Sequence, residues 1–189
     1  TFFRDITKVK DVVAAAAETT LNKNADLGDL TYEPNAVHRL TIQISGNAPG
    51  TGTNTPTGAN SGVTAVPIKK PVDAIYDFIP ATGKAVTAAD PSREVTATSK
   101  CNECHTSLGG IPGDTSSDSG AAFHGGSRNS TQYCVVCHTD QRKYGRAAAT
   151  TTTTGYTGTA YRIDDRAVGD FPNLIHKTHF GKLLTKDGY

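Results

Sequence analysis

Cys101-Asn102-Glu103-Cys104-His105 has an echo in Cys134-Val135-Val136-Cys137-His138, with 29 residues between Cys104 and Cys134. Both stretches read C-x-x-C-H, and together they use all 4 cysteines of the chain. The spacing is that of a c-type haem attachment site. Two thiols three positions apart reach the two vinyl groups of one porphyrin, and the histidine after the second thiol is set under the iron as proximal ligand. The expectation is two covalently bound haems c, one on Cys101 and Cys104 with His105 below the iron, one on Cys134 and Cys137 with His138.

Three other chemistries use paired cysteines. A zinc site with four thiolates is one, but the gap between the pairs exceeds that of a zinc ribbon, and zinc leaves His105 and His138 without a role. A thioredoxin-like redox pair needs one motif opening a helix after a strand, not two in loop-rich sequence. Disulfides suit an exported chain but again leave the histidines unexplained.

Composition bounds the remainder. The 189 residues carry a net charge of +1, which gives no electrostatic case for nucleic acid or an anionic membrane. No apolar run is long enough to cross a bilayer. Haem c is attached outside the cytoplasm, so a targeting segment is expected to have been removed or to lie outside this sequence. Methionine is absent, which excludes His/Met axial ligation.

Along the chain, Ile6, Val9, Val12, Val13 and Ala16 recur at helical spacing, with Asp5 or Thr7 as cap. This stripe reads as an adapter packed on a sheet. Leu40, Ile42 and Ile44 alternate with Thr41 and Gln43 as in a half-buried strand, and residues 46–62 read as a loop or long hairpin tip. Val72–Ile79 reads as a second strand, ended by Pro80 and a turn at Thr82-Gly83; Val63–Ile68 and Arg93–Thr98 are weaker candidates. These strands are too few to close a barrel or sandwich, so either the residue 1–28 segment or strands upstream would complete them. His38, beside the first strand, reads as a surface or satisfied residue and not a ligand.

From Ser99 to Tyr189 only 10 residues are Leu, Ile or Val. That is too little apolar side chain to offset the ordering entropy of the segment, and two porphyrins would supply the missing surface. Residues 109–120 and 150–159 read as polar loops. The expected fold class is therefore α+β and irregular: residues 1–98 form an N-terminal helix and a partial antiparallel β domain, and residues 99–189 form a loop-rich, haem-cored dihaem module with short helices.

Three histidines remain as distal ligands: His124, His176 and His179. His124 sits among glycines that permit close backbone approach. It follows His105 by 19 residues, and the intervening Gly-rich loop is long enough to return it to the first haem. Pro172 suits a first helical turn, and at ~100° per residue His176 and His179 lie about 60° apart on one face. His176 is preferred for the second haem because Leu174 and Ile175 beside it can pack on the same porphyrin. His179 is then spare, available to a third haem in a partner subunit or in a larger protein. With no methionine, both irons are expected to be bis-His.

The order C-x-x-C-H, H-G-G-x-R (His124–Arg128), C-x-x-C-H, I-H-x-x-H-x-G (Ile175–Gly181) resembles the extracellular outer-membrane decahaem cytochromes of metal-reducing bacteria. The stretch Tyr76–Lys84 also looks like that family's junction between a β domain and a pentahaem domain. The resemblance covers roughly residues 70–181. Such a protein has ten haem motifs and this chain has two, so it is either a piece of one or a small cytochrome reusing one module. The resemblance implies electron transfer at the cell surface or outside it, with the periplasm as alternative. Acceptors would be metals or minerals, flavins, other multihaem cytochromes or neighbouring copies. No residue is assigned a catalytic role. The rivals are a reductase of a small oxyanion with one open haem, disfavoured because no C-x-x-C-K occurs, and a structural zinc module.

Overall fold

A computed structural model describes residues 3–19, 29–90, 94, 96–113, 123–138, 150–152, 155–156, 162–163, 166–167 and 169–180. The chain divides into two compact units, Thr1–Ala36 with Cys137–Tyr189, and Val37–Val136.

The Val37–Val136 unit is built on an antiparallel hairpin. Strand β1 (His38–Ile44) pairs with β2 (Val72–Ile79) from His38 opposite Phe78 to Ile44 opposite Val72. Pro80 ends β2, Gly83 takes a positive φ of 63°, and the short β3 (Lys84–Ala85) returns along β2. Residues 46–68 fold back as the hairpin's long tip. Ala48 donates to Val66 at 2.7 Å and Ile68 to Gly46 at 2.7 Å, with a single bridge at Asn47 and Pro67. Val63–Ile68 therefore forms no full strand. The Arg93–Thr98 candidate is also corrected where it can be read: Thr96 and Ala97 are irregular and Thr98 opens a helix, while Arg93 and Val95 lie outside the described residues.

The period-2 alternation is present, but the covered face is the polar one. Leu40, Ile42, Ile44, Val72 and Tyr76 are 47–60% exposed. The opposite face carries Arg39, Gln43, Asp73 and Asp77, and it grips the backbone of residues 127–132. Arg39 donates Nε and Nη2 to the two Asp77 carboxylate oxygens, each at 2.7 Å, and Nη1 to the Gln132 carbonyl at 3.1 Å. Gln43 Nε2 donates to the Asp73 carboxylate at 2.9 Å and to the Ser127 carbonyl at 3.0 Å. The Asn129 backbone N–H donates to the other Asp73 oxygen at 2.8 Å. Hydrogen bonds to charged groups are among the stronger ones, so these side chains hold the 127–132 segment through its backbone.

Two short helices follow from it, α2 (Thr98–Asn102) and α3 (Thr131–Cys137). Among the described residues the buried large apolar side chains are Leu108 and Phe171, and the one polar residue buried as deeply is Thr131.

In the other unit, Asp5 caps a 3₁₀ turn (Ile6–Lys8) by accepting from the Thr7 backbone N–H at 3.0 Å, and α1 (Val9–Ala14) continues it. Val9, Val12 and Val13 are exposed, so the packing expected of this stripe is not found among the described residues. Residues 20–28 lie outside them. The polar stretch expected to be a loop at 150–159 contains a two-residue ladder instead: Thr151–Thr152 (β4) pairs with Gly155–Tyr156 (β5). Arg162–Ile163 (β6) and Arg166–Ala167 (β7) pair in the same way. Helix α4 (Phe171–Phe180) has Pro172 in its first turn, where a missing N–H costs nothing. Asp170 precedes it and accepts from Asn173 Nδ2 at 2.6 Å. Gly181, expected to interrupt or end this helix, lies outside the described residues. No described helix is long and apolar enough to cross a membrane.

Candidate haem-binding site

The first C-x-x-C-H lies on α2 and the turn after it. Cys101 is half-buried, Cys104 is exposed, and the His105 N–H donates back to the Cys101 carbonyl at 2.9 Å. The chain then turns under Leu108, whose N–H donates to the Asn102 side chain at 2.7 Å. The next residues pack against the segment that carries His124. Gly109 lies against the Arg128 carbonyl, and a Cβ on Gly126 would sit 2.7 Å from the Pro112 nitrogen. Only glycine permits these approaches, so residues 109–112 and 126–128 meet backbone to backbone. The first motif and His124 are thus linked through one packed loop pair. Residues 114–120 of the Gly-rich loop lie outside the described residues.

His124 is the one non-glycine residue with positive φ among those described (φ 51°, ψ 33°), followed by Gly125 at φ 63°. Its Nδ1 is 3.2 Å from Arg128 Nη1. A guanidinium only donates, so in this arrangement Nδ1 accepts and Nε2 carries the proton. Binding of an iron at Nε2 requires that proton to move and Arg128 to exchange partners. The Tyr133 ring, 5.9 Å from the Arg128 guanidinium carbon, is a second partner already in reach.

The second motif lies on α3. Cys134 is half-buried and Cys137 is exposed. Burial first, then the charge of Asp73, pushes the Cys134 thiol up to about 11. At neutral pH it is a thiol and not a thiolate. His138 follows, and here the ring is held differently. Its Nδ1 is 2.8 Å from the Gly169 carbonyl oxygen. A carbonyl only accepts, so Nδ1 carries the proton and Nε2 keeps its lone pair, the arrangement a metal-bound histidine needs. The His138 carbonyl in turn accepts from the Phe171 N–H at 2.9 Å, which ties His138 to the start of α4.

On α4, the His179 Nδ1 is 2.9 Å from the Ile175 carbonyl. By the same reasoning the ring proton sits on Nδ1 and the lone pair on Nε2. His176 is exposed on the same helix, and Leu174 and Ile175 beside it are half-buried. His38 is remote from this chemistry in sequence and packs at 6.0 Å from the Phe78 ring. Among the described residues no three or more His, Cys, Asp or Glu side chains converge on a metal-ion site.

The sequence reading missed the polar grip of Arg39, Gln43, Asp73 and Asp77 on the segment preceding α3. Charged residues on the alternate positions of both strands were the available signal.

Two helices bearing C-x-x-C-H and, among the described residues, few buried apolar side chains are features of a c-type cytochrome domain. Residues 93–188, just over half of the chain, match the family of outer membrane cytochromes described as MtrC/MtrF-like, domains II/IV. The chain belongs to that family, and its role is electron transfer in an outer-membrane cytochrome. No curated protein and no solved structure matches it.

Proposed function

We propose that this chain carries two covalent haems c, on Cys101/Cys104 and Cys134/Cys137, and passes electrons between them to a partner or acceptor outside the cytoplasm. The observation that carries the reading is the pair of C-x-x-C-H motifs, which uses every cysteine of the chain and sits, among the described residues, with few buried apolar side chains. A porphyrin is a large apolar body, and burying it would add the apolar packing that a segment with 10 Leu, Ile and Val residues lacks. When bound, the haem supplies reversible one-electron chemistry at iron. The chain's residues attach, orient and insulate it. Cys101 with Cys104, and Cys134 with Cys137, would hold the two porphyrins through thioether links.

His105 and His138 are the proximal ligands. His124 is the distal ligand of the first haem, supported by the packed loops that connect it to Cys101–His105. The second haem takes its distal ligand from α4. The sequence favours His176, but the Nδ1–H of His179 is already satisfied by Ile175, and this observation favours His179. The other histidine is then available to a further haem. Haems held in this way by two histidines each would offer no open site for a substrate, which favours an electron carrier over an oxyanion reductase. Residues 99–189 are the haem-bearing part and residues 1–98 the supporting part. Other multihaem cytochromes, copies of this chain, flavins and extracellular metals or minerals are the partners and acceptors in keeping with the family.

The test is the mass and spectrum of the intact protein. The mass should exceed that of the polypeptide by two haems, and the colour should survive acid–acetone extraction. Cyanide or nitric oxide should not bind readily at rest. A colourless protein holding zinc would overturn the reading.

A further inference from the structure

Aligned on their cysteines, the two motifs share one more residue. Thr98-Ser99-Lys100-Cys101 and Thr131-Gln132-Tyr133-Cys134 each place a threonine three positions before the first thiol. Each threonine is the first residue of its helix, α2 or α3. The two side chains meet: their Oγ1 atoms are 3.0 Å apart. The Thr131 N–H donates to Thr98 Oγ1 at 2.9 Å, and Thr131 Oγ1 donates to the Thr96 carbonyl at 2.7 Å. A hydroxyl has one proton. Since that of Thr131 goes to Thr96, the Thr98 hydroxyl must donate to Thr131 Oγ1 while accepting from the Thr131 backbone. The hydrogen-bond directions are therefore unique.

Thr131 is 2% exposed, so water does not compete for this contact. Helices of 5 and 7 residues cannot hold themselves in place, and their mutual position rests on tertiary contacts. The thiol nearer the contact is half-buried in both motifs and the farther one is exposed, so the two motifs present themselves alike around it. Cys101 is also among the groups whose charge acts on Cys134.

We propose that Thr98 and Thr131 are positioning residues that set the spacing and mutual orientation of the two haem-attachment helices, and with them the electronic coupling between the haems. This rests on the two-haem reading above. Neither threonine touches the reacting atoms; each acts through the cysteine one helical turn on.

The experiment compares the full-length holoprotein with Thr98→Val, Thr131→Val and Thr98→Ser. Valine keeps the shape and removes the hydroxyl; serine keeps the hydroxyl. Intact mass and the low-spin electron paramagnetic resonance signal report haem count and ligation, which checks the underlying reading separately. Circular dichroism in the Soret region reports the mutual orientation of two nearby haems as a bisignate couplet, and voltammetry reports the gap between their potentials. The valine variants should retain two low-spin haems, lose the couplet and narrow the gap, and Thr98→Ser should match the parent. An unchanged couplet and gap in Thr98→Val would overturn the proposal. Loss of a haem or of low-spin character in Thr98→Val would also overturn it, since the threonines would then be folding contacts and not spacers.

Discussion

His138 Nδ1 lies 2.8 Å from the carbonyl oxygen of Gly169, a residue 31 positions further along the chain. The contact fixes the ring proton on Nδ1, points Nε2 away and makes it a better donor to a metal. His138→Met keeps a ligand but loses the Nδ1–H and the imidazole. One haem potential should rise, on the order of 0.1 V within the ~0.8 V over which axial ligands act, while the other stays put. Protein-film voltammetry would resolve the two waves. A parallel rise of both would mean that the two haems are not separately ligated.

Single His→Ala variants assign the distal ligands. His124→Ala and His179→Ala should each convert one haem to high spin, read by electron paramagnetic resonance, and His176→Ala should leave both low-spin. A high-spin haem from His176→Ala in place of His179→Ala would return the ligand role to the residue that the sequence favours. His38→Ala should leave the spectrum unchanged.

The Arg39–Asp77 pair is forked and partly buried, with side chains 21% and 20% exposed. Removing one partner with Asp77→Asn should destabilise the Val37–Val136 unit by about 1 kcal/mol, at the upper end for exposed pairs. Its pH dependence has a definite sign. The Arg39 guanidinium holds the Asp77 carboxyl below its ordinary value in the folded state. A depressed folded value contributes stability above the ordinary aspartate value of ~3.9, lost as pH falls through the folded value. Urea midpoints at decreasing pH should fall faster for the parent than for Asp77→Asn, and the two should converge in acid.

Gly126→Ala should disturb the first haem and spare the second. The residue has a φ of 74°, and a Cβ would meet the backbone of Ile111 and Pro112 at 2.7–2.9 Å. The left-handed strain alone costs of order 1–3 kcal/mol. The expected outcome is a lower melting temperature and partial loss of His124 ligation, seen as a high-spin fraction. Gly125→Ala meets nothing within 4 Å and serves as the control with the strain but not the clash.

Much of this protein was legible in its sequence because haem attachment is a local chemical code. Two thiols and a histidine within five residues declare their ligand wherever they lie, and the count of Leu, Ile and Val after Ser99 already implied that the packing came from elsewhere. The two strands and the turn that ends the second were equally local, written in alternation and in Pro80 and Thr82-Gly83. What alternation does not state is which face of the sheet is covered. Burial of Leu40, Ile42 and Ile44 was the natural expectation; the hairpin instead turns Arg39, Gln43, Asp73 and Asp77 to residues 127–132, because hydrogen bonds from Arg39 to the Gln132 carbonyl, from Gln43 to the Ser127 carbonyl and from the Asn129 N–H to Asp73 satisfy a backbone segment that an apolar face would leave unpaired. The meeting of Thr98 with Thr131 and of His138 with Gly169 was likewise decided only by tertiary structure. Those partners lie 33 and 31 positions apart, and hydrogen bonds across such separations leave no periodic trace in the chain.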